Sequence, residues 1–84
     1  MDEQLKQYIE VVKENSKTMN GPDYEGREQD LLRQKEDLEK YEHGLKMKSR
    51  SSESFDKLVD ATIGFANNDL SQTELDEIYK QSIK

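Results

Sequence analysis

The stretch Arg27–Lys48, REQDLLRQKEDLEKYEHGLKMK, decides how this chain folds. Leu31, Leu38 and Leu45 stand seven residues apart in it, with Leu32 and Tyr41 beside them. On a helix that spacing paints one narrow apolar stripe, and almost everything else in the stretch is charged or an amide. Glu36 with Lys40 and Glu42 with Lys46 are acid-before-base pairs at i,i+4, each contributing about 0.2–0.5 kcal/mol. Lys46, Lys48 and Arg50 collect at the end where the helix dipole is negative. The stretch therefore predicts the longest helix of the chain. Gly44 costs about 1 kcal/mol relative to Ala inside a helix, and reads as a weak last turn rather than a close approach.

Upstream, Leu5, Tyr8, Ile9, Val12 and Met19 repeat at helical spacing, with Val11 widening the face. They predict a core-facing helix over about 2–19, with Asp2 and Glu3 suited to its first turn and Lys17 to its last. Asn20-Gly21-Pro22-Asp23 ends it. Gly21 is expected in the left-handed C-terminal turn, and Pro22 forbids continuation. Tyr24-Glu25-Gly26 then leads into a second helix. A helix, an aromatic-x-Gly turn and a second helix resemble the small secreted WXG-type hairpins. Here Tyr24 stands for the Trp, the turn comes early and no matching C-terminal secretion motif is present, so none of that family's function is carried over.

Downstream, Ser49-Arg50-Ser51-Ser52-Glu53-Ser54 reads as a break with a Ser N-cap opening the next helix. One continuous helix from Arg27 to about Phe65 stays open, because no Pro or Gly stands between Lys46 and Lys57. Phe55, Leu58, Val59, Ile63 and Ala66, with Phe65 nearby, make residues 54–66 the most apolar segment, and the core is expected to centre there. Asn67-Asn68-Asp69 supplies turn residues. Ser71-Gln72-Thr73-Glu74 is a capping box, and Leu70 and Leu75 are spaced for a hydrophobic staple around it. Leu75, Ile78, Tyr79 and Ile83 continue the buried stripe of a last helix. The expected architecture is one all-α domain spanning the 84 residues, a small bundle of three to four helices around one long amphipathic helix. The helices are placed at about 2–19, 26–48, 53–66 and 71–83.

Composition narrows the function. Only 31% of residues are hydrophobic and 38% are charged. A core this thin in so short a chain contributes only about 3–5 kcal/mol, and self-association is the expected supplement. There is no cysteine, so disulfides and thiolate metal sites are excluded. The net charge of -6 pushes the chain away from nucleic acid and anionic lipid. It is uneven: Asp2–Gly26 holds six acids and three bases, Arg27–Arg50 six and seven, Ser51–Lys84 seven and three. No apolar run approaches the roughly 20 residues of a membrane span, and MDEQLKQ is not a signal peptide, so the expected location is cytoplasmic.

Chemistry is sparse. His43 is the single histidine, flanked on its helix by Glu39, Glu42 and Lys46. One imidazole among exposed carboxylates makes a poor metal site, and the serines of 49–54 are better explained by capping than by nucleophilic catalysis. No phosphate-binding Gly-rich loop or calcium loop is present. Leu70–Leu75 resembles the entry helix of a helix-turn-helix domain, but the motif needs a second helix for the groove and none follows. Lys46, Lys48 and Arg50 form only a small basic patch. The expectation is a protein that is not an enzyme, takes no cofactor and no metal, and binds another protein as a small regulator, adaptor or inhibitor. Its candidate contact residues are Leu31, Leu38, Tyr41 and Leu45 on the long helix, with Asp76 and Tyr79 on the last. The alternatives are a homo-oligomer joined along the Leu31/Leu38/Leu45 stripe, and an acidic mimic of DNA that inhibits a nucleic-acid enzyme.

Overall fold

The computed structural model describes residues 2–84, and in it the chain is four helices. They are α1 (Glu3–Asn20), α2 (Arg27–Lys48), α3 (Ser52–Ala66) and α4 (Gln72–Ser82). The all-α bundle is as expected, and each helix end falls within one residue of its expected place.

Local chemistry sets three of the starts. The Asp2 carboxylate accepts from the Gln4 and Leu5 amides at 2.8 and 3.3 Å. Ser51 and Ser71 cap α3 and α4 through the amides of Ser54 and Glu74, at 3.1 and 3.2 Å. Each bond satisfies a first-turn donor that has no partner inside its helix. The fourth start, α2, has no side-chain cap; Gly26 enters it at φ 91°. The left-handed glycine is thus Gly26 and not Gly21, which is extended at φ -90°, ψ 175°. Gly21 is kept small for another reason: a Cβ there would lie 2.8 Å from the Lys17 carbonyl oxygen.

At the end of α3 the left-handed position is taken by Asn68, at φ 64°. The Asn68 amide donates to the Phe65 carbonyl at 3.1 Å and the Asp69 amide to Gly64 at 2.8 Å, a full Schellman turn. Asn tolerates this conformation better than other side chains, but only glycine does so freely. Asn68→Gly is expected to stabilise the fold by up to about 1 kcal/mol and Asn68→Val to destabilise it by about 1–2 kcal/mol, read from urea midpoints.

The joint between α2 and α3 settles the open question in that stretch. Ser49 is extended and pairs antiparallel with Ile83. The Arg50 amide donates to the Ser82 carbonyl at 2.8 Å and the Lys84 amide to Lys48 at 3.0 Å. The helix therefore stops without Pro or Gly, because a remote segment satisfies the backbone groups it gives up. The Arg50 guanidinium adds a bond to the Ile83 carbonyl at 2.9 Å, tying the end of α4 to the joint.

The chain packs as two helical hairpins. α1 lies along α2, α3 lies along α4, and α1 joins the two through α3. Leu5, Tyr8, Ile9 and Val12 of α1, Leu45 of α2, Leu58 and Ala61 of α3 and Leu75 of α4 form the buried core. The largest share comes from α1, not from the more apolar α3 segment. Ile63, expected inside, is 43% exposed. At 1.5 Å per residue α2 is about 33 Å long and α3 only about 22 Å. The second hairpin therefore cannot cover the first along its whole length. This explains why the core ends at Val12 and why Met19, expected to continue it, is 60% exposed.

At Gly44 a Cβ would meet only the amide end of the Gln4 side chain, which can swing aside, so the glycine touches α1 without a close approach of the two backbones.

Candidate interaction surface

The molecule has two unlike ends. At one, the start of α1, the end of α2 and the end of α4 meet. The Lys48 ammonium lies 3.6 Å from the Asp2 carboxylate, and the Tyr79 hydroxyl faces the same carboxylate. Partial burial opposes charge on Asp2, but the amides of Gln4 and Leu5, the Lys48 charge and Tyr79 outweigh it and hold the carboxyl below its ordinary pKa. Burial, and then the Asp2 charge, push the Tyr79 phenol up.

The sign of the pH effect follows. A carboxylate with a lowered pKa stabilises the fold above its ordinary range, and that contribution disappears as pH falls through the lowered value. Asp2→Ala is expected to cost about 1 kcal/mol near neutral pH, where the cap is charged. The gap from the parent chain should narrow as pH falls below the ordinary carboxylate range and the parent loses its charged cap. Urea unfolding of both proteins across that range checks this.

At the opposite end, around residues 21–26, the space between α1 and α2 is filled by polar groups. Gln34 is buried, donating to Thr18 Oγ1 at 2.9 Å and accepting from Asn15 Nδ2 at 3.0 Å. The Arg27 side chain reaches back to the Thr18 and Met19 carbonyls at the end of α1, both at 3.1 Å, and its guanidinium lies 3.3 Å from the Asp23 carboxylate. Tyr24 donates to the Asp30 carboxylate at 2.6 Å. That bond raises the phenol pKa. Apolar side chains are left outside this clamp: Met19, Leu32 at 63% exposed and Tyr24 at 48%. Leu31 is half-buried.

The candidate contact residues separate accordingly. Leu45 is fully buried in the chain's own core and has no surface to offer a partner. Leu38 and Tyr41 are half-buried and pack against that core. Leu31 alone of the stripe lies beyond it. Tyr79 also packs on the core and turns toward Asp2, while Asp76 beside it is half-buried. The candidates therefore do not form one surface. Leu32, Met19 and Tyr24 were absent from the expected set. Leu32 lies off the stripe, and Met19 belongs to a stripe whose cover stops short. The second fact is not visible without the lengths of the packed helices.

Other features carry less chemistry. His43 is exposed on α2, and among the described residues no group of His, Cys, Asp and Glu is arranged to hold a metal ion. Tyr8 donates to Glu42 at 2.9 Å; burial first, then this bond, drives its phenol pKa up. An open groove of about 580 Å³ along α1 is bounded by Ile9, Tyr41 and Phe65, with the Lys13 ammonium 5.2 Å above the Phe65 ring. Among the described residues no helix is long and apolar enough to cross a membrane.

Comparison with curated proteins gives no match, and comparison with solved structures gives none. A family described as Uncharacterized YnfE-like matches residues 3–80, from the first residue of α1 into the last turn of α4. Since the match takes in both hairpins and the core between them, the chain belongs to the YnfE-like family.

Proposed function

We propose that this protein is a non-enzymatic protein-binding module, a small cytoplasmic regulator, adaptor or inhibitor that acts by contact. Its contact surface is the open end of the α1–α2 hairpin. The observation that carries this reading is the exposure of Met19, Tyr24 and Leu32 around a turn that no other helix covers. Large apolar side chains exposed on either side of one turn offer a partner area that is better buried than left in solvent. Gln34, Thr18 and Arg27 hold that end in shape without covering it, so the surface is set before a partner arrives. The net charge of -6 favours a partner with a basic rim, which would speed encounter more than it would strengthen the complex.

The test is capture from lysate of cells that carry the natural gene, with three baits: the parent chain, Met19→Glu/Leu32→Glu, and Met47→Glu. Met47 is equally exposed but lies near the other end of α2. One specific protein, retained at high salt by the parent and Met47→Glu and lost with the double variant, is the expected result. Equal recovery by all three baits, or recovery that salt abolishes, contradicts the proposed surface.

A further inference from the structure

We infer that the Asn20–Gly21 peptide is a site of spontaneous covalent modification, in which Asn20 converts to aspartate and isoaspartate in the folded protein. Asn20 is the exposed last residue of α1, and among the described residues its side chain makes no hydrogen bond. Gly21 follows with an extended backbone and no Cβ to hinder ring closure. Among the described residues its amide makes no hydrogen bond of good geometry. The C-cap amides of α2, α3 and α4, on Ser49, Asn67 and Ile83, all donate to carbonyls of the helix they end; that of Gly21 does not.

The chemistry needs only water. The deprotonated Gly21 nitrogen attacks Asn20 Cγ, the N–Cγ bond forms, and the Cγ–Nδ2 bond breaks as ammonia leaves with a proton. The product is a five-membered succinimide. Water adds to one of its two carbonyls and opens it to aspartyl or isoaspartyl. No atom is oxidised or reduced. One negative charge is gained, and in the isoaspartyl product the main chain is longer by a methylene.

The other asparagines are held where this one is not. For Asn67 the attacking nitrogen would be that of Asn68, which donates to Phe65 at 3.1 Å. For Asn68 it would be that of Asp69, which donates to Gly64 at 2.8 Å. Asn15 lies inside α1 with its amide bound to Gln34. The new carboxylate at residue 20 would sit at the negative end of α1, an unfavourable place, next to the Met19 carbonyl that Arg27 holds. The change therefore acts on the clamp that shapes the open end of the hairpin, whether or not a partner binds there.

The full chain is incubated at mildly alkaline pH, folded in buffer and unfolded in urea. Peptide masses then follow each asparagine, and labelling by an isoaspartyl methyltransferase reports the iso product. The fragment Thr18–Arg27 isolates Asn20 from the others. In the folded protein Asn20 is expected to convert about tenfold faster than Asn15, Asn67 or Asn68, at a rate near that of the unfolded chain, with Gly21→Ala slowing it by about tenfold. Protection of Asn20 in the folded chain but not in urea would overturn the inference. So would conversion of Asn67 or Asn68 at an equal rate. Both readings come from the parent protein and do not depend on how well Gly21→Ala folds.

Discussion

Leu45→Glu is expected to unfold the whole chain, at every protein concentration. Leu45 has no exposed surface, and it is the one α2 residue in the fully buried apolar core, where it joins Leu5, Tyr8, Leu58 and Leu75. Truncating such a leucine to alanine costs about 2–5 kcal/mol. Placing a carboxylate there adds the cost of burying a charge with no partner. A domain of this size holds together with only about 3–5 kcal/mol, so the loss exceeds the total. Circular dichroism should show the helical signal gone, and sedimentation should show an expanded single chain. Leu31→Glu, beyond the core on the same stripe, should leave the fold standing. If Leu45→Glu instead gave folded subunits released from an oligomer, the stripe would be a seam between copies.

Gln34→Ala is expected to cost about 2 kcal/mol, although the position is polar. The side chain is buried and bridges Thr18 and Asn15 across the hairpin. Removing it strips Thr18 Oγ1 of a donor and Asn15 Nδ2 of its acceptor, in a space where water enters poorly. Thr18 keeps its own bond to the Glu14 carbonyl at 3.1 Å, which limits the damage. The asymmetry between breaking one partner and replacing all of them gives a sharper test. Gln34→Leu alone should be destabilising, while Gln34→Leu with Asn15→Leu and Thr18→Val should recover most of the loss. Urea midpoints for the set, at constant slope, check this. Equal and additive losses would mean that the three side chains do not act as a unit.

The fold was legible where the signals are local. Ser71 followed by Glu74, the Asn-Gly-Pro turn at 20–22 and the Asn-Asn-Asp turn at 67–69 mark helix ends that the structure has, while the Ser-rich step at 49–54 left a continuous helix open. What the sequence hid depends on distant partners. Ser49 ends α2 because Ile83 pairs with it, more than thirty residues on. Gln34 sits where a heptad reader wants a leucine, and only the neighbouring Thr18 and Asn15 make it an inside residue. Gly21 precedes Pro22, which pushes it to the extended region, and only Gly26 takes the left-handed conformation. The proposed contact surface was not legible in the sequence. None of Met19, Tyr24 and Leu32 belongs to the expected set: Leu32 lies off the stripe, and the exposure of Met19 follows from α3 being shorter than α2, a relation between elements rather than a motif.

Sedimentation equilibrium over a wide concentration range, on the parent chain and on Met19→Glu/Leu32→Glu, tests most directly the claim that the core is complete in one chain and the open end is kept for another protein. Against the self-association that the composition suggests, the account predicts one species of 9.8 kDa for the parent at every concentration, and a folded variant of the same mass. A parent mass that climbs with concentration and falls back in the variant would contradict it, because a second copy would then be what covers Met19 and Leu32.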